Sequence, residues 1–244
     1  MRRVEQLVNQ AAAAKRDRGL VGLGHLCQSA AMRWARVVVV AAPAVVLAGL
    51  GLTHPQDLTA TSAPWWTTLH VLLLPLFPLL AVSLWLLLRG VPGPVAWAAR
   101  FAAYGYVAFY TALDVLAGIG AGELTQLNAD RGLPDNTVEV DRLFAVGNDL
   151  GDIGVWCFGV ACAATALAVV GRLGRRALPG AVVLVAAAVV FVAGGVHIYW
   201  PWGVGTMLAL AVGSGLLAAA LPDPQQRDTQ ATGEPGQSPE PAAT

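Results

Sequence analysis

The sequence predicts an all-α protein: a polytopic integral membrane protein built as a bundle of six transmembrane helices, with both termini in the cytoplasm. Hydrophobic residues make up 56% of the 244 residues and charged residues only 12%, whereas soluble domains carry about 25% charged residues. The apolar residues are also gathered into runs long enough to cross a bilayer. These two observations disfavour a water-soluble enzyme and a largely disordered chain.

The charge balance disfavours nucleic acid as a partner. Fifteen basic and fifteen acidic residues give a formal net charge of zero, whereas nucleic-acid-binding domains carry a basic excess. The expected partner is the lipid bilayer, and the sequence leaves protein partners open. Abundant Ala, Gly, Val and Arg, with Lys15 as the single lysine, are typical of a GC-rich genome. This favours a bacterial protein of the plasma membrane.

Six apolar runs are predicted to form helices, because lipid offers the backbone no other hydrogen-bond partners. In chain order the runs cover residues 37–52, 66–88, 94–120, 153–171, 178–196 and 202–221. Pro75 and Pro78 are predicted to kink the second helix, since each removes a backbone donor. The glycines within 118–122 are predicted to end the third helix, and the segment 147–154 is predicted to fray at the start of the fourth.

The basic residues predict the orientation. All but two of the 15 basic residues precede the first run, flank the connection between runs two and three, lie between runs four and five, or lie in the tail. By the positive-inside rule these regions are cytoplasmic, and an even number of spans agrees. The segment 121–145 is predicted to be the largest external loop, with a turn at 133–137 and an amphipathic piece at 138–144 lying on the membrane. Its acidic residues are Glu123, Asp130, Asp135, Glu139 and Asp141.

The chain is predicted to have three regions. Residues 1–33 are charged and rich in alanine, which favours a cytoplasmic segment and suits an interfacial helix. Residues 34–221 form the transmembrane domain. Residues 222–244 contain no aromatic residue, which predicts a disordered cytoplasmic tail. Because a typical membrane-protein start follows Met32, the sequence leaves open whether translation begins at Met1 or at Met32.

Ionisable residues at membrane depth are costly and often functional, and Asp114 is the clearest of them. Tyr106, Tyr110 and Asp114 are spaced i, i+4 and i+8, so they share one helix face. Asp114 is predicted to face the bundle interior rather than lipid, with His70 as its preferred partner.

A candidate polar cluster near the outer leaflet consists of His70, Asp114, Asp149, Asp152 and His197, and His54 follows the first run at a similar level. Asp149 and Asp152 also fit the start of the fourth helix, where the helix dipole favours acidic residues. Imidazole and carboxylate groups suit zinc or another divalent metal, and equally suit proton transfer or a polar ligand. The spacings HExxH, HxxxH and CxxC are absent from the sequence. The residues therefore allow a divalent metal but do not favour one, and the sequence does not determine a cofactor.

Three functions remain open from the sequence. The favoured one is a polar pocket that opens to the outside and binds or transports a small solute or ion. One alternative is a membrane-embedded, metal-dependent hydrolase that acts at the outer leaflet, and another is a structural or regulatory subunit. Motifs of soluble enzymes such as GxSxG and the Walker A loop are absent, which favours a non-enzymatic role.

Overall fold

A computed structural model describes residues 30–194 and 197–222. The predicted N-terminal segment and tail fall almost entirely outside these residues. Within them every regular element is helical and no strand occurs, which confirms the all-α prediction. The elements are α1 (Ala30–Gly51), α2 (Ala63–Leu87), α3 (Pro94–Leu113), a π-helical segment (Asp114–Gly120), α4 (Ala121–Asp130), α5 (Val138–Leu173), α6 (Leu178–Gly194) and α7 (Trp202–Ala220).

The chain divides into two compact units. One unit comprises residues 36–220 and contains most of α1 and all of the other helices. The other comprises Met1–Ala35 with Leu221–Thr244, and only residues 30–35 and 221–222 of it are described.

Five helices in the described part of the chain are long and apolar enough to cross a membrane. They are Ala30–Gly51, Ala63–Leu87, Pro94–Asp130, Val138–Gly194 and Trp202–Ala220. The fourth reaches 57 residues because only a short 3-10 turn, Gly174–Ala177, separates α5 from α6. Gly174 has a φ of +64°, a conformation that favours glycine. Since α5 and α6 pack against each other, the chain reverses direction at this turn.

The third membrane helix continues past its predicted end. α3 passes through the π-helical segment directly into α4, so the predicted helix end at 118–122 is wrong. The glycines serve close packing instead. A Cβ atom on Gly118 would collide with the ring of His70, and one on Gly122 would collide with Thr67. Small residues of this kind let two membrane helices approach closely, and here they bring α2 against the π-helical segment.

α5 begins at Val138, well before the predicted fourth span. The segment 147–154, predicted to fray, lies inside the helix, so that prediction is wrong. The predicted piece at 138–144 forms the first turns of the same helix. Glycines explain the error at 147–154, because Gly147, Gly151 and Gly154 pack against the helix formed by α3 and the π-helical segment. The non-helical stretch at 131–137 agrees with the predicted turn.

Aromatic side chains fill the centre of the bundle. Tyr106 packs on Phe158 with ring centroids 4.7 Å apart, and Phe77 packs on Tyr110 at 4.8 Å. All four side chains are fully buried. Large apolar side chains also cover the outward faces of the same helices, including Phe101, Trp156 and Val182. An apolar exterior around a packed aromatic interior is the distribution that a lipid environment requires.

Candidate metal centre

Three histidines meet at the end of the bundle where α2 and α7 begin and α1 and α6 end. His54 follows α1, His70 lies inside the first turns of α2, and His197 lies in the connection between α6 and α7. One ring nitrogen from each lies within 4.8 Å of one from each of the other two. The ring centroids of His54 and His70 are 5.2 Å apart, and those of His54 and His197 are 5.3 Å apart.

Small residues position the connection that carries His197. A Cβ atom on Gly51, at the end of α1, would collide with the backbone of Ile198. A Cβ atom on Gly203, at the start of α7, would collide with the backbone of both His197 and Ile198. Glycine at these two positions therefore lets the ends of α1 and α7 close around the connection, which holds His197 beside the other histidines.

Backbone hydrogen bonds set the tautomers of His54 and His70. The Nδ1 atom of His54 lies 2.7 Å from the carbonyl oxygen of Pro55, and that of His70 lies 2.7 Å from the carbonyl oxygen of Trp66. A carbonyl only accepts hydrogen bonds, so each Nδ1 carries the proton and donates it, which leaves a lone pair on Nε2. Metal-binding histidines are commonly oriented by such a bond from the other ring nitrogen.

His197 has a side-chain partner instead. Its Nδ1 atom lies 2.7 Å from the hydroxyl oxygen of Tyr110, which can donate or accept. The Nε2 atoms of His54 and His197 are both buried and have no hydrogen-bond partner among residues 30–194 and 197–222. A buried polar atom left in that state costs about 1–3 kcal/mol.

Burial keeps the two histidines outside the helices neutral. It lowers the pKa of His54, partly opposed by the hydrogen bond to Pro55. It also lowers the pKa of His197 to well below the usual range, and the nearby imidazoles of His70 and His54 lower it further. Neutral imidazole is the form that binds metals.

A cleft of about 370 Å³ adjoins the histidines. His70, His197 and Tyr110 contribute to its wall, and residues of α5 line it as well. The remaining residues around it are Trp66, Leu113, Ala117, Gly118, Phe144, Asn148, Gly151, Asp152, Val155 and Tyr199. This volume lies within the range of small-molecule sites in proteins.

The predicted polar cluster is brought together only in part. His70, His197 and Asp152 border the same cleft. Asp149 is exposed on α5 and does not border that cleft. The helix-start explanation for Asp149 and Asp152 is wrong, because the acidic residues in the first turn of α5 are Glu139 and Asp141.

Asp114 is 1% exposed, so it faces the bundle interior and not lipid, as predicted. Its predicted pairing with His70 is wrong. Neither carboxylate oxygen has a hydrogen-bond partner within the described residues, and the Nδ1 atom of His70 is bound to the carbonyl of Trp66. The backbone of α2 satisfies this nitrogen locally, one helical turn back, and no carboxylate is needed for that bond.

Two contributors differ from the predicted cluster of five residues. His54 is not one of the five, although the sequence predicts it at a similar level after the first apolar run. Tyr110 was expected to belong with Asp114, but its hydroxyl binds His197. The spacing of Tyr110 on α3 indicated an inward face, and only the path of the connection between α6 and α7 reveals its partner.

Comparison with known proteins gives no match: no family model, curated protein or solved structure matches this chain. The function is therefore inferred from the chemistry of the three histidines.

Three imidazoles with an open fourth position form a common catalytic zinc site, and copper, nickel and iron also accept imidazole. In a tetrahedral zinc site the ligand nitrogens are about 3.4 Å apart. The three rings could reach that spacing by moving inwards by less than about 1 Å each.

Proposed function

We propose that this protein is a multi-pass membrane protein that binds a zinc ion through the Nε2 atoms of His54, His70 and His197. The observation that carries the proposal is the hydrogen-bonding state of the ring nitrogens. Each Nδ1 is held by a hydrogen bond, and the buried Nε2 atoms of His54 and His197 lack a partner in the described part of the chain. A divalent cation between the rings would satisfy these nitrogens.

The same proposal places six spans in the plasma membrane with both termini in the cytoplasm. The reversal between α5 and α6 supports two crossings within the fourth long helix. The distribution of basic residues supports the orientation. In this arrangement the histidines lie near the outer leaflet.

Metal analysis of the purified protein tests the zinc site. The protein is purified through a tag without histidines, and bound zinc is measured by mass spectrometry. We expect about one zinc ion per chain in the wild type and less than a tenth of that in His54→Ala, His70→Ala and His197→Ala, since each substitution removes one of three protein ligands.

His25→Ala is the matched control, because His25 is the fourth histidine of the sequence and is not part of the proposed centre. It should retain wild-type zinc. A wild-type protein without bound metal would contradict the proposal and favour a purely structural polar cluster. Zinc retained by all three substituted proteins would place the metal elsewhere.

A further inference from the structure

We infer that the centre is catalytic and hydrolyses an acyl ester or amide of a lipid, with Asp152 as the group that accepts the proton from water. This inference rests on the proposed zinc site and names its reaction and substrate class. The observations that carry it are the cleft beside His70 and His197, the position of Asp152, and an apolar groove that shares Asp152 with the cleft.

The first observation is access to the histidines. His70 and His197 both border the 370 Å³ cleft, so a water molecule or a substrate in the cleft can contact these two rings. His54 does not border the cleft. A structural zinc site has four protein ligands and is closed, whereas a catalytic one keeps a position for water or substrate. The group of three histidines found in the described residues has the catalytic pattern.

The second observation concerns the acidic side chain at the cleft. Asp152 is exposed and borders the cleft together with His70 and His197. It lies on the same face of α5 as Phe144 and Asn148, at i+8 and i+4 from them. Asp114 is less suited to this role because it is buried and does not border the cleft. Asp152 is therefore the carboxylate that can meet a water molecule held there.

The third observation concerns the substrate. Asp152 also borders a second groove of about 400 Å³ on the outside of α3 and α5. The other residues of this groove are Ala102, Ile153, Trp156, Cys157 and Val160. Trp156 and Val160 are 66% and 53% exposed, as lipid-facing side chains are. A molecule with an apolar chain in the groove and a carbonyl group in the cleft would bridge the two at Asp152, and a lipid ester or amide has that form.

The reaction is a hydrolysis with water as the only co-reactant. The zinc ion would polarise the water molecule and the acyl carbonyl. As the water oxygen bonds to the acyl carbon, its proton passes to the Asp152 carboxylate. The bond from the acyl carbon to the alcohol oxygen or amine nitrogen then breaks, and Asp152 returns the proton to the departing atom. The products are a fatty acid and an alcohol or amine, and no atom changes its oxidation state.

Hydrolysis of p-nitrophenyl decanoate and p-nitrophenyl acetate by the full-length protein in detergent micelles tests the inference, with zinc content measured on each sample. These activated esters are cleaved more easily than amides, so they report on either substrate class. We expect zinc-loaded protein to hydrolyse the decanoate well above the His54→Ala background. The decanoate should exceed the acetate by about tenfold or more in kcat/KM, because the longer chain buries apolar surface.

Asp152→Asn should retain zinc and lower kcat by about 10²- to 10⁴-fold, the usual contribution of a general base. Asp149→Asn is the matched control, since Asp149 is an exposed carboxylate of the same helix that does not border the cleft. It should behave as the wild type.

Zinc-loaded wild type that is no faster than the zinc-free protein would overturn the inference and leave the zinc site standing. Absence of zinc from the wild type would instead remove the proposed function itself. Equal activity of Asp152→Asn and Asp149→Asn, or loss of zinc from Asp152→Asn, would overturn the role of Asp152. Equal rates with the two esters would overturn the lipid substrate class.

Discussion

At the residue scale, the hydrogen bond between Tyr110 and His197 holds the ring of that histidine in place. When Nδ1 donates to the tyrosine oxygen, the lone pair lies on Nε2 and can bind a metal. His54 and His70 reach the same state through backbone carbonyls, which no side-chain substitution can remove. Tyr110 is therefore the orienting group of the centre that mutagenesis can test.

Tyr110→Phe should lower zinc affinity by about 10- to 100-fold, as is usual when the partner of a metal-binding histidine is removed. The measurement is competition with a chelator of known affinity. Tyr104→Phe is the matched control, because Tyr104 lies on the same helix but is 66% exposed. Wild-type affinity in Tyr110→Phe would show that this hydrogen bond does not orient His197.

Asp114 makes a second prediction possible. Its two oxygens are buried without a hydrogen-bond partner in the described residues, and such burial costs about 1–3 kcal/mol. Asp114→Ala should therefore raise the Tm of the protein, by about 2–4 °C for each kcal/mol recovered. Asp149→Ala removes an exposed carboxylate and should change the stability by less than about 0.5 kcal/mol. A clear fall in Tm for Asp114→Ala would show that the carboxylate has a stabilising partner in solution.

Depth along the helices explains what was predictable about individual residues. The distance of His70 and Asp114 from the ends of their apolar runs placed both near one end of the bundle. Depth along a helix does not tell which neighbouring side chain a residue contacts. For this reason the predicted pairing of Asp114 with His70 is wrong. The connection that carries His54 has no periodic pattern of apolar residues. Its path over the end of α2 depends on tertiary packing and could not be predicted from the sequence.

At the scale of elements, the π-helical segment and its glycines bring α2 to the centre. The indole nitrogen of Trp66 donates a hydrogen bond to the carbonyl oxygen of Ala117, at 3.2 Å. Trp66 thus binds the π-helical segment through its side chain, while its own carbonyl holds His70. π-helical turns are frequent at functional sites, and here the turn links two helices at the wall of the cleft.

Gly118→Ala should destabilise the protein and weaken zinc binding, since the added Cβ would collide with the ring of His70. Overpacking of this kind costs about 1–3 kcal/mol. Gly205→Ala in α7 is the control, because a Cβ atom there meets nothing within 4 Å. Thermal unfolding and the chelator competition measure both effects. Equal Tm and zinc affinity in the two variants would mean that α2 and the π-helical segment are not packed tightly.

Apolar runs identified the helices well, and glycines were the source of the errors. Glycine commonly follows the end of a helix in soluble proteins, which underlies the predicted helix end at 118–122. Glycine also weakens a helix interior, which underlies the predicted fraying at 147–154. In a membrane bundle a segment with glycines stays helical, because lipid offers the backbone no other hydrogen-bond partners. Its glycines then lie where two helices contact each other closely. Sequence alone does not distinguish a glycine that ends a helix from one that contacts a neighbour.

At the scale of the whole molecule, the length of α5 shapes the outer end of the bundle. Its 36 residues correspond to about 54 Å at 1.5 Å per residue, against about 30 Å for the hydrocarbon core. We therefore expect its acidic first turns to stand outside the bilayer in the proposed orientation. The α5 residues that border the cleft follow these turns along the helix, so in the proposed orientation we expect the cleft to open near the membrane surface.

The number of crossings decides whether the two termini lie on the same side of the membrane. If α5 and α6 cross separately, there are six spans and both termini lie on the same side, which is the cytoplasm in the proposed orientation. If the 57-residue helix Val138–Gly194 crossed only once, the C-terminus would lie outside. The packing of α5 against α6 favours two crossings, and the arginines of the turn between them, Arg175 and Arg176, favour the cytoplasm for that turn.

Fusions of alkaline phosphatase, active only outside, and of a fluorescent protein that folds in the cytoplasm test this topology. Fusions after Arg175 and after Thr244 should both fluoresce and lack phosphatase activity. A fusion after Gly132, between α4 and α5, is the internal control and should show the reverse. Phosphatase activity after Thr244 together with fluorescence after Arg175 would mean that the last part of the chain crosses once less or once more than proposed. Reversal of all three signals would invert the protein and put the histidines near the cytoplasmic leaflet, away from an outer substrate.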